Sequence, residues 1–143
     1  MTLYQRFLRK PEFGSYEDFL HNFRINVPEN FNFAYDVVDD IAINDPERTA
    51  MVWCNPEGEE HTRLSKQAAN LFVRLGIQKG DKVMLVLRRH YTFWIAIMAL
   101  CRIGAVAVPA THLLTKKDIV YRANCAGIKM VVTSAEGCFA ASC

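Results

Sequence analysis

The sequence predicts an α/β domain whose mostly parallel sheet is built from βαβ crossovers, set behind an N-terminal helical lead-in. Two observations carry that prediction. Apolar runs of buried-strand length, Val83 to Leu87, Ala105 to Val108 and Lys129 to Thr133, alternate with segments whose apolar residues recur at helical spacing. The runs start about 22 and 24 residues apart, the step of strand–helix–strand units that cross over with a right hand.

The lead-in comes first. Ser15 followed three places later by Asp18 resembles a capping box, and Phe19, Leu20 and Phe23 then follow at helical spacing, so a short amphipathic helix is expected over 15–25, ended by Pro28. A second helix is expected from about Ala34 to Asn44. Val37, Val38, Ile41 and Ala42 form its apolar face, and Asp45-Pro46 stops it.

The main domain opens with the β-favouring run Thr49 to Cys54, and the turn Asn55-Pro56-Glu57-Gly58 calls for a hairpin partner. Only Glu59 to Thr62 precede the next helix, Leu64 through Leu75, so the return strand is shortened. That helix is expected to bury Leu64, Ala68, Leu71, Phe72 and Leu75. Gly76 stands at its C-cap and Lys79-Gly80-Asp81 makes a tight turn into the first long apolar run. Helix Tyr91 to Ile103 then leads to the strand Ala105 to Val108, and helix Lys116 to Ala126 leads to the strand Lys129 to Thr133.

Composition narrows the function classes. The 143 residues are 51% hydrophobic and 22% charged, enough to bury one core and too apolar for a disordered chain. Seventeen basic against fifteen acidic residues leave a net charge of +2, which gives no broad attraction for nucleic acid or an anionic membrane. The five cysteines lack a CxxC pair and their odd number points to reduced thiols, while the four histidines lack zinc-ligand spacing, so no metal site is expected. The first twenty residues carry acidic side chains and no sustained apolar run, and Arg102, Gly104 and Pro109 break the apolar stretch from Tyr91 to Ala110. A cytoplasmic protein without a membrane span is expected.

No catalytic constellation emerges. The seven glycines form neither GxGxxG nor GxxxxGK[ST], so the chain shows no phosphate cradle of its own, and the serines and cysteines stand in no nucleophile motif. Asp36, Asp39 and Asp40 are expected on a solvated helix face. One loop is better placed: Pro109-Ala110-Thr111-His112 lies just beyond a predicted parallel strand, where ligands gather in open sheets. His112 is positioned to contact a ligand there, or Thr111 simply caps the next helix.

The stretches FNFAYDVVDDIAINDPERTAMVW, LSKQAANLFVRLGIQKGDKVMLVL and FWIAIMALCRIGAVAVPATHLLTKKDIVYRANCAGIKMVVT, about residues 31 to 134, resemble the AMP-forming acyl-CoA synthetases of the adenylate-forming superfamily. LGIQKGDKV followed by GAVAVP is similar to that superfamily in general, and PATHLLTKKDIVYR resembles the branch acting on acetate, propionate and medium-chain acids. The resemblance implies a lead-in over 1–33, a partial AMP-binding synthetase N-terminal domain over 34–137, and a ligase of fatty acid metabolism. Such a ligase joins a carboxylic acid to CoA through an acyl-adenylate, using ATP and Mg.

The family's lysine-ended phosphate loop and catalytic lysine have no counterpart in these residues, so neither catalysis nor cofactor binding by this chain alone is expected. Two further departures stand inside the resemblance. Relatives place a strand of the form TFTFxEM where Thr62 meets Arg63 here, so about seven residues are missing, by an internal deletion or a gene-model error. Cys138 to Cys143 replace an arginine-bearing, CoA-holding stretch and read as an aberrant tail. A truncated, inactive ligase is therefore expected. The alternative is a non-catalytic module that associates with a full-length synthetase, or with itself, through exposed sheet edges.

Overall fold

A computed structural model describes residues 3–48, 64–88 and 90–134. The chain divides into two compact units, Met1–Arg48 and Thr49–Cys143. The expected strand Thr49 to Cys54, the turn and shortened hairpin after it, and the tail Cys138 to Cys143 lie outside the described residues.

In the first unit a 3-10 turn, Leu3–Arg6, precedes helix α1, Tyr16–Asn22. The Ser15 hydroxyl accepts the Asp18 N–H at 3.1 Å and fixes the helix start. Helix α1 closes at its C-cap Phe23, earlier than Pro28. The chain turns extended there and returns on itself, with an isolated antiparallel bridge between Leu8 and Ile25. Phe13, Phe19 and Phe23 cluster edge to face and tilted, with ring centroids 4.9–6.3 Å apart.

The second expected helix forms from Ala34, but in two parts. A π-helical stretch, Ala34–Asp39, runs directly into α2, Asp40–Asn44. The aspartates here are half-buried and partnered, not simply solvated: Asp36 accepts the Asn32 N–H at 2.7 Å, and Asp40 takes the Arg6 guanidinium at 2.7 Å.

The second unit holds helices α3 (Leu64–Arg74), α4 (Thr92–Ile103) and α5 (Lys116–Ala126) and strands β1 (Lys82–Val86), β2 (Val106–Pro109) and β3 (Ile128–Thr133). The strands form a parallel sheet in the order β2-β1-β3. Strand β1 lies in the middle, which is why four of its five residues are buried. Each strand starts within one residue of its expected position.

The crossovers reverse direction at β2, so right-handed connections put α4 and α5 on opposite faces. Side chains agree. Val83 and Leu85 join the core made by Phe72, Ile77, Ala96, Ala99 and Leu100 of the α3–α4 side. Lys82 alternates with them onto the other face and donates to the carbonyl of Ala126, at the end of α5, at 2.8 Å.

Helices α3 and α4 end alike. Gly76 and Gly104 take positive φ, 84° and 70°, and the next residue donates back five positions, Ile77 to Phe72 and Ala105 to Leu100, at 3.0 Å each. In α3 this wraps Ile77 under Phe72, leaving both buried.

The buried face of α3 differs from the one expected. Ala69 and Phe72 are buried, while Leu71 and Leu75 are 52% and 56% exposed. The seam that joins the core shared with α4 runs through Ala68, Ala69 and Phe72. Leu71 and Leu75 point away from that seam.

Candidate functional site

An open cavity of about 700 Å³ lies beyond the C-terminal ends of β1 and β3, between α3 and the first turns of α4. That is within the size range of small-molecule sites. Its position follows from topology. From β1 the chain leaves through α4 toward β2 on one side, while β3 flanks the other, so the connections part and leave a crevice.

The apolar lining comes from Ala68 and Phe72 of α3, Ile95 and Ala96 of α4, and the strand ends Leu87 and Val132. The polar lining is Arg88, His90, Thr92, Thr133 and Ser134. Arg88 is the only formally charged residue among the described lining residues, and none of them is acidic.

Helix α4 begins at this cavity without a side-chain cap from Tyr91. His90 substitutes, because its Nδ1 accepts the Thr92 N–H at 3.3 Å and lies 2.8 Å from Thr92 Oγ1. An Nδ1 that accepts leaves the neutral imidazole's hydrogen on Nε2. The His90 N–H donates to the Arg88 carbonyl. The positive end of a twelve-residue helix and a guanidinium therefore share one rim.

The loop singled out by sequence lies elsewhere on the same edge of the sheet. Thr111 and His112 follow β2, both exposed, and neither lines this cavity. The Ala110 N–H donates to the Leu85 carbonyl at 2.9 Å and ties the loop to β1. Thr111 does not cap α5. Its hydroxyl accepts the Leu113 N–H at 3.2 Å in a local turn, and the cap is Thr115, whose hydroxyl accepts from the Asp118 N–H at 3.3 Å while Asp118 accepts from the Thr115 N–H at 3.0 Å. The Thr115 hydroxyl, which donates to Asp118 Oδ2 at 2.6 Å, and after it the Thr115 N–H hold the Asp118 carboxyl below its ordinary value.

Sequence reasoning did not find the cavity residues. The strand-end rule points to the loop after β2, whereas the crevice depends on strand order, and alternation of segments does not reveal that β1 and β3 are neighbours. Arg88 and His90 at the end of the first apolar run were the signal available. Among the described residues no three His, Cys, Asp or Glu side chains converge as a metal site, and no helix is long and apolar enough to cross a membrane.

A family model described as "AMP-binding enzyme" matches residues 38–142. The chain is 36% identical over 135 residues to human mitochondrial acyl-coenzyme A synthetase ACSM3, covering 85% of this chain and 23% of that protein. It is 39% identical over 121 residues to mouse mitochondrial acyl-coenzyme A synthetase ACSM5, covering 76% of this chain and 21% of that protein. In both, the aligned length exceeds the stretch of this chain that it covers, so these relatives carry residues inside the matched region that are missing here.

Among solved structures, the N-terminal domain of FACL13 from Mycobacterium tuberculosis is similar with a TM-score of 0.66 and 25% identity, over 76% of this chain and 29% of that one. The N-terminal subdomain of NpsA from Klebsiella oxytoca is similar in fold, with a TM-score of 0.62 at 24% identity over 70% of this chain and 27% of that one. The chain thus spans about a quarter of the length of the proteins it matches.

Proposed function

Since this chain belongs to the AMP-binding enzyme family and is similar to acyl-CoA synthetases, we propose that it is a truncated part of an ATP-dependent acid–CoA ligase, inactive alone. The reaction of that ligase class takes a carboxylic acid, ATP and CoA to acyl-CoA, AMP and pyrophosphate. The observation that carries the reading is the match over residues 38–142 together with a donor set unsuited to the chemistry.

Magnesium-bound ATP needs converging phosphate donors and carboxylates. Among the described residues the candidate cavity offers one guanidinium, one imidazole and three hydroxyls, and no carboxylate. These residues do not fit the nucleotide and its metal, so no chemical step is assigned to them. The domain scheme, 1–33 lead-in, 34–137 partial N-terminal domain and 138–143 aberrant tail, belongs to the same proposal, as does a role in fatty acid metabolism. Thr111 and His112 remain proposed as ligand-proximal in the complete domain, on the ground that they follow a parallel strand.

The test is release of AMP by the purified chain given ATP, Mg, CoA and acids from acetate to decanoate. No AMP above the no-enzyme control is expected, and acid-dependent AMP would refute the reading.

A second reading, a non-catalytic module that pairs with itself or with an intact synthetase, draws on exposed apolar residues in the strands flanking β1: Val106 is 45% and Val131 42% exposed. Co-purification with an intact synthetase supports it, and a lone monomer opposes it. The cytoplasmic expectation stands against relatives named mitochondrial, and fractionation of a tagged chain separates the two.

A further inference from the structure

We propose that His90 is a pH switch on helix α4: its neutral ring caps the helix start, and protonation removes the cap and loosens the cavity wall that the first turn forms. The switch stands on the geometry of this turn alone, independently of the ligase reading.

The first N–H groups of a helix have no intrahelical acceptor, and at α4 the Tyr91 side chain supplies none. The Thr92 N–H finds His90 Nδ1 instead, at 3.3 Å. A ring nitrogen accepts only while its lone pair is free, so this bond exists in the neutral ring and not in the imidazolium, whose two nitrogens both donate. A proton taken from water onto Nδ1 therefore breaks it. The Thr92 hydroxyl, 2.8 Å from Nδ1, keeps the ring in place by passing from donor to acceptor. The change is thus local: the ring stays and the N–H loses its partner.

The surrounding charge works in the same direction. An imidazolium adds positive charge at the positive end of a twelve-residue helix. Its charged and titratable neighbours are Arg88, on the same cavity, Arg89, next to it in the chain and outside the described residues, and Tyr91, whose ring lies 4.4 Å from that of His90. Helix α3 brings Ala68 and Phe72 to the cavity and β3 brings Val132 and Thr133, none of them titratable. No carboxylate stands among the described lining residues to hold a charged ring.

The effect reaches the cavity because the capped turn is also its wall. Thr92, Ile95 and Ala96 of α4 line the cavity together with His90 itself. Histidine in water takes up its second ring proton at about pH 6.5, so the cap is present at pH 8 and lost toward pH 5. The lowered carboxyls of Asp18, Asp81 and Asp118 titrate below 3.8, outside that window.

The test is an NMR titration of the full chain from pH 8 to pH 5, reading the His90 ring nitrogens, the Thr92 amide and the methyls of Ile95 and Leu100. At pH 8 the ring is expected to carry its hydrogen on Nε2. On acidification the Thr92 amide is expected to move with the midpoint of the ring. Its protection against hydrogen exchange, corrected for the intrinsic rate, is expected to fall about fivefold, the size of a lost cap. The Ile95 methyl follows, while that of fully buried Leu100 stays still.

Two variants isolate the acceptor. His90→Asn keeps a side-chain oxygen within reach of the N–H two places on, and is expected to hold the Thr92 amide bonded at both ends of the titration. His90→Ala is expected to leave that amide unprotected throughout. The proposal is overturned if the ring carries its hydrogen on Nδ1 at pH 8, if the Thr92 amide ignores the ring's titration, if Leu100 shifts with Ile95, or if His90→Asn keeps the pH response.

Discussion

Lys129 ends 2.6 Å from the carboxylate of Asp81, and it is the residue that the shift in register between β1 and β3 skips. The pairing steps from Lys82 with Ile128 to Val83 with Met130, and the extra residue turns its ammonium onto the turn before β1. The same Asp81 oxygen accepts the Gln78 N–H at 2.7 Å, and the Asp81 carbonyl accepts the Val106 N–H at 2.8 Å. One residue thus links the turn and both flanking strands at the edge of the sheet opposite the cavity.

That link makes stability depend on acid pH. The Lys129 ammonium, and after it the Gln78 N–H, hold the Asp81 carboxyl below its ordinary 3.8. A carboxyl with a lower value folded than unfolded contributes fully above 3.8 and loses that contribution as pH falls through the folded value. Asp18 follows the same sign, lowered to about 2 by Lys10, the Gly14 N–H and Asn22. Thermal midpoints of the chain are therefore expected to fall from pH 4 toward pH 2. Asp81→Asn is expected to flatten part of that slope, and an unchanged slope would remove the link's role.

The rotated face of α3 gives a sharper contrast. Leu100 is fully buried, so Leu100→Ala is expected to cost about 2–5 kcal/mol, whereas Leu71→Ala and Leu75→Ala are each expected within about 0.5 kcal/mol of the parent. Urea unfolding measures all three. A cost at Leu71 or Leu75 comparable with that at Leu100 would restore the face expected from sequence.

Gly104 and Gly127 both end helices with positive φ, 70° and 63°, but their surroundings differ. A Cβ at Gly104 would lie 3.0 Å from the Lys79 side chain, and one at Gly127 would meet nothing within 4 Å. Both alanine variants carry the left-handed penalty of about 1–2 kcal/mol. Gly104→Ala is expected to be the worse of the two in the same unfolding assay, unless Lys79, whose contact is a flexible stem, swings aside without cost.

The cap of α5 separates Thr115 from Thr111. Thr115→Ala removes the capping hydroxyl and is expected to cost about 1 kcal/mol, while Thr111→Ala loses only a local turn bond and is expected to cost less. Equal costs would contradict the assignment.

Much of this was legible in the sequence because it is local. Ser15 with Asp18, Gly76, and the apolar runs of β1 and β3 each declare their structure within a few residues, and the helix Lys116 to Ala126 has the bounds expected of it. What depended on distant partners was not. Leu71 and Leu75 satisfy helical periodicity as well as Ala69 does, and only the packing of α4 decides which side is buried. Thr111 and Thr115 both precede a helix, and the backbone chose the one with an aspartate three places on. The candidate cavity required knowing that β3 sits beside β1, a relation across more than forty residues that no local signal encodes.

The most direct test of the account is exchange of labelled pyrophosphate into ATP, because it reads adenylate formation alone and needs no CoA. With the purified chain, Mg and any acid from acetate to decanoate, the account predicts exchange no greater than without protein. Acid-dependent exchange that persists through purification to a single species would contradict it, and would mean that these 143 residues activate a carboxylate by themselves.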